Sequence, residues 1–89
     1  MRVSIKQIEN QIDYLNEITK QPTTPWSRVD NRSRANIGNY HLSQAYGGVC
    51  LHQMANLGGG VTCPLSQGHI PKRELMDKLQ AFIAGIELS

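Results

Sequence analysis

The chain has 89 residues, enough for a single domain over 1–89, and a domain of that size buries only ~60–65% of the surface its unfolded chain exposes. Charged residues make up 18%, below the roughly 25% usual for soluble proteins, and Asn and Gln fill the gap, so burial against a second copy, a homo-oligomer, is expected. No run approaches the ~18 consecutive apolar residues of a membrane span, and MRVSIKQIENQIDYLNEITK carries acids and amides where a signal peptide is apolar, which excludes those classes and points to a soluble cytoplasmic protein.

In residues 4–20, Ile5, Ile8, Ile12 and Leu15 recur at spacings of three and four, an apolar helical stripe that Ile18 extends. Ser4 followed by Gln7 is a capping-box pattern, and Pro22 and Pro25 cannot continue a helix. The same apolar positions fit two heptads, short of the three or four that secure a coiled coil, so a helix packed on its own sheet is the better reading. TTPWSRVDNRSR follows, read as a Pro-rich loop bearing Trp26, Arg28, Arg32 and Arg34.

The middle of the chain reads as strands. NIGNYHLSQAY alternates Tyr40, Leu42 and Tyr46 with His41, Ser43 and Ala45, and Gly47-Gly48 is a hairpin signal before VCLHQM because a type I′ turn needs positive φ at both central positions. VTCPL comes after Gly58-Gly59-Gly60, and Pro64 confines it to an edge or to a very short strand. Neither glycine cluster opens a helix or precedes Lys-Ser/Thr, so neither is a P-loop; the triple glycine reads as a flexible turn ahead of a loop for close ligand approach. HIPKRELMDKLQAFIAGIELS sets Pro71 near the first position of a second helix, with Glu74 and Asp77 in its early turns and Leu75, Leu79, Phe82, Ile83 and Ile86 on its apolar face. The expected fold is α+β in α-β-β-β-α order, an antiparallel meander whose Leu42, Val49 and Leu51 meet both helices in one core.

Cys50 and Cys63 are expected as buried thiols in apolar strands, without the electropositive, accessible setting of a nucleophile. Cys50-x-His52 with Cys63-x5-His69 offers four zinc ligands, and Cys50 and His52 would share a strand face, yet the Cys-x2-Cys spacing of zinc ribbons is missing. Ordinary strand and loop residues are the preferred reading, with no metal and no cofactor expected. The acids fall mainly on helix surfaces, where solvated charge is the usual role, and no motif names a reaction, so the chain is not expected to be an enzyme.

Charge is unevenly distributed. Residues 1–17 carry a net −1 and residues 74–89 a net −2, whereas residues 18–73 carry Lys20, Arg28, Arg32, Arg34, Lys72 and Arg73 against Asp30 alone, a net +5. An anionic partner should therefore approach the middle segment.

IGNYHLSQAYGGVCLHQMANLGGGV followed by GHIPKRELMDKLQAFIAGI resembles a group of short proteins encoded by tailed bacteriophages and prophages. The shared features fall on Tyr40, Ala45 to Gly48, Leu51, Gly58 to Gly60, Lys72 to Leu75 and Ala81 to Gly85, and the resemblance covers about residues 37–86, with Pro71 where a Ser or Thr cap is expected. It implies an accessory factor acting in the host cytoplasm by binding, rather than a particular activity. The most concrete expectation is a counter-defence protein that sequesters an anionic small molecule, a nucleotide-derived signal. Arg28, Arg32, Arg34, Lys72 and Arg73 would hold phosphate, Trp26 or Tyr46 would stack on a base, and the Gly47-Gly48 turn and the second helix start would offer amides. The alternative is a protein- or nucleic-acid-interaction module; no helix-turn-helix, arginine-rich helix or aromatic-lined strand favours nucleic acid, and a net charge of +2 is weak for a dedicated phosphate-backbone binder.

Overall fold

The computed structural model describes residues 2–89. Ser4 Oγ accepts from the Gln7 amide at 3.1 Å while Gln7 Oε1 accepts from the Ser4 amide at 2.8 Å, and this reciprocal pair opens α1 (Ile5–Thr19). Lys20 ends it in the left-handed region, φ 58°, and Gln21 donates back to the Asn16 carbonyl at 2.9 Å.

Two small antiparallel sheets follow. One is the hairpin β1 (Trp26–Val29) and β2 (Arg32–Ala35); the other has the order β3 (Tyr40–Ala45), β4 (Gly48–Met54), β5 (Val61–Thr62), and α2 (Lys72–Glu87) closes the chain. The architecture is the expected α+β with helices at both ends and a strand meander between them. As Pro64 requires, β5 is an edge strand of two residues.

Two local expectations are corrected. Residues 26–35 form a hairpin instead of a loop: Asp30 and Asn31 take φ 51° and 63°, and these side chains tolerate the left-handed region that a two-residue turn demands. The β3–β4 turn is Tyr46-Gly47, with φ 54° and 74°, one residue earlier than Gly47-Gly48. Gly48 instead begins β4 opposite Ala45, where an added Cβ would lie 2.9 Å from the Ile70 carbonyl oxygen. The backbone of residue 70 comes this close because Val49 and Ile70 exchange two amide–carbonyl hydrogen bonds, both 2.8 Å.

Tyr46 therefore holds a conformation that suits Asn or Gly better, and its side chain is 97% exposed. Replacing it with Asn is expected to raise stability by about 1 kcal/mol in urea denaturation, since little contact is lost and the left-handed penalty falls.

The core lies between the helices and one face of the three-stranded sheet. Ile8, Ile12 and Leu15 of α1 meet Tyr40, Val49 and Leu51 of the sheet and Leu75, Leu79 and Ile83 of α2, with Leu42 and Phe82 partly buried around them. Strand alternation then turns His41, Ser43, Cys50 and His52 to the opposite face. One polar side chain sits inside the core boundary: Asn16, 1% exposed, donates from Nδ2 to the Tyr40 carbonyl at 2.9 Å and accepts at Oδ1 from the Tyr40 amide at 2.8 Å. It ties α1 to the first residue of β3. Among the described residues no helix is long and apolar enough to cross a membrane.

Candidate functional site

The candidate ligand residues separate into two groups. Trp26, Arg28, Arg32 and Arg34 lie on the β1–β2 hairpin, which joins the rest of the molecule near the 55–60 loop through the Ala35 amide, donating to the Leu57 carbonyl at 3.3 Å. Tyr46, Gly47 and Gly48 lie at the other end of β4, beside Lys72 and Arg73 at the start of α2. Seven strand residues stand between the ends, roughly 20 Å at ~3.3 Å per residue. The arrangement does not gather the two groups around one small ligand.

At the first end the register decides what each arginine can reach. Trp26 pairs with Ala35 and Arg28 with Ser33, which puts Trp26 and Arg28 on one face of the ribbon. Ser27 pairs with Arg34 and Val29 with Arg32, which puts Arg32 and Arg34 on the other. All four residues of β1, and Arg32 and Arg34 of β2, are exposed. The only ion pair among the described residues is the distant Arg73–Asp77 contact at 3.9 Å, so no carboxylate neutralises the hairpin arginines. Val29, Arg32, Arg34 and Leu57 border a shallow, open depression with Asp30 at the turn.

Trp26 is an anchor as well as a half-exposed ring. Its Cη2 lies 2.7 Å from where a Cβ on Gly59 would stand, so the glycine at φ +96° lets the indole lie over the loop backbone. Asn56 Oδ1 accepts from the Gly58 and Gly60 amides at 3.0 and 2.9 Å, and its side chain fills the space a Cβ on Gly60 would need. The triple glycine is thus an Asn56-centred turn seating Trp26, which accounts for those glycines without a ligand. At the second end, an open cleft between Ile5, Gln44, Gly48 and Lys72 lies beside the hairpin turn, and Tyr46 packs edge-on to His69 at a ring-centroid distance of 5.8 Å.

A third constellation lies on the sheet face away from the core. Ligand atoms of Cys50, His52 and Cys63 lie within 4.8 Å of one another. The expectation of two buried thiols is half corrected: Cys50 is buried, but Cys63 is exposed because it follows the two-residue edge strand. His69 Nε2 is 2.9 Å from Ser43 Oγ, and its ring centroid is 6.2 Å from that of His52, whose other neighbour is His41 at 5.5 Å. Burial holds the His41 and His52 imidazoles below the usual histidine range, and the neighbouring rings add to this: His52 acts on His41, and His69 on His52. The hydrogen bond with Cys50, then burial, raises the Cys63 thiol, which works against a free thiolate at neutral pH.

Comparison of the chain with protein-family models, curated proteins and solved structures finds no match.

Proposed function

We propose that this is a phage-type accessory protein that binds nucleic acid, duplex DNA in the first instance, through its β1–β2 ribbon. The observation that carries the reading is the placement of uncompensated arginines on both faces of a ribbon that neither helix covers. A small-molecule site is concave and encloses most of its ligand, and one compact anion cannot touch Arg28 on one face together with Arg32 and Arg34 on the other. A groove walled by phosphates on both sides can. The major groove is ~12 Å wide and admits a two-stranded ribbon, whose side chains then face both walls.

The rest of the molecule fits this approach. The acidic residues lie largely on the helices, away from the hairpin, and Asp30 at its tip would keep the turn itself clear of phosphate. Trp26 offers an indole edge beside Arg28, while its seat on Gly59 fixes the ribbon against the 55–60 loop. With three arginines engaged, sequence-independent binding in the range ~10⁻⁴–10⁻⁶ M is the expected strength at physiological salt.

Fluorescence anisotropy with a labelled duplex tests the reading, with a single strand and a panel of cyclic dinucleotides and ADP-ribose derivatives in parallel. Duplex binding at micromolar protein in low salt, without thermal stabilisation by the small nucleotides, is expected. Stabilisation by a member of the small-molecule panel together with no duplex binding would overturn it in favour of nucleotide sequestration.

A further inference from the structure

We propose that Cys50, His52 and Cys63 bind a zinc ion and that His69 completes the coordination. Tetrahedral zinc, with Zn–S near ~2.3 Å and Zn–N near ~2.0–2.1 Å, sets neighbouring ligand atoms ~3.3–3.8 Å apart. The three ligand atoms already fall within 4.8 Å of one another, so drawing them onto a shared ion takes shifts of an ångström or so per atom, within the reach of side-chain rotation.

The fold brings them together by three independent routes. Cys50 and His52 are two residues apart on β4 and share its outer face. Thr62 pairs with Gln53, so the chain leaving β5 delivers Cys63 alongside His52. The segment from Cys63 returns to pair Ile70 with Val49 and carries His69 to the same face. Two thiolates and two imidazoles form a donor set of the kind that selects zinc, whereas hard cations prefer oxygen.

The surroundings suit a structural ion. Cys50 is fully buried, which shields one thiolate from solvent, and Ser43 at 2.9 Å from His69 Nε2 is placed to orient that imidazole through its second nitrogen. Residues 63–69 have no helix or strand of their own, and they are attached to the sheet by few bonds, among them Ser66 Oγ near Cys50 Sγ at 3.6 Å. An ion there would fasten this segment to the sheet. That is a substantial gain for a domain with so small a core.

The test uses the full chain purified under reducing conditions, stripped with chelator and titrated with zinc and with cobalt, the latter followed by its absorption spectrum. One zinc per chain, a cobalt spectrum with thiolate charge-transfer and tetrahedral d–d bands, and a higher melting temperature on loading are expected. Cys63→Ser, at an exposed position and therefore able to fold, should weaken zinc by at least ~100-fold, and His69→Ala by ~10-fold or more. Absence of zinc binding at micromolar concentration, a Cys50–Cys63 disulfide in the reductant-purified protein, or full affinity in Cys63→Ser would overturn the site. Full affinity in His69→Ala would remove His69 from it.

Discussion

Asn16→Ala is expected to destabilise the protein by about 2–5 kcal/mol, read from urea or thermal denaturation. The side chain makes two hydrogen bonds of 2.9 and 2.8 Å to the carbonyl and amide of Tyr40, and both partners are buried. Truncation leaves a backbone donor and a backbone acceptor without partners at the start of β3, each worth roughly 1–3 kcal/mol when water cannot reach it, together with a small void. Against a total stability of ~5–15 kcal/mol for a domain, this is a large fraction. Asn16→Asp should cost as much, because a carboxylate beside the Tyr40 carbonyl cannot replace the lost N–H. A loss below about 1 kcal/mol would mean that water reaches Tyr40 and that this tie between α1 and the sheet is weak.

The second large effect concerns binding. Replacing Arg28, Arg32 and Arg34 together with Ala is expected to weaken duplex DNA at least ~100-fold at low salt, since exposed phosphate contacts worth about 1 kcal/mol each sum to ~3 kcal/mol. The side chains are exposed and no carboxylate among the described residues pairs with them, so the melting temperature should stay close to that of the parent chain. Lys72→Ala with Arg73→Ala, at the far end of the sheet, serves as the control. If that pair weakened binding more than the triple change, the interface would belong at the start of α2.

The helices and the β3–β4 pair were legible because their burial is periodic. Ile8, Ile12 and Leu15, and likewise Leu75, Leu79 and Ile83, repeat at helical spacing and do face the core, while Val49 and Leu51 alternate with Cys50 and His52 as a strand covered mainly on one face requires. The β1–β2 hairpin escaped because WSRV and RSRA bury only Ala35, so no alternation marks them, and Asp30-Asn31 turns the chain without a glycine. The misplaced β3–β4 turn has a long-range cause. Gly48 is required by the close approach of the Ile70 backbone, 21 residues away in neither motif nor pattern, and so Tyr46 must take the left-handed position.

The candidate sites divide along the same line. That the arginines were the basic feature of the middle segment could be read directly, but their division between two faces depends on the hairpin register. The Cys50, His52, Cys63 grouping has the donors of a metal centre without its familiar spacing, because one pair is read along a strand and the third ligand enters from an edge strand beside it. Local sequence spacing carries no information about that juxtaposition.

The most direct measurement of the central claim is the salt dependence of duplex binding. If Arg28, Arg32 and Arg34 each neutralise one phosphate, the logarithm of the association constant should fall with the logarithm of salt concentration at a slope of about −2.7, and each single Arg→Ala change should flatten it by about 0.9. A slope near zero, or one that the arginine changes leave untouched, would contradict nucleic-acid binding by the ribbon.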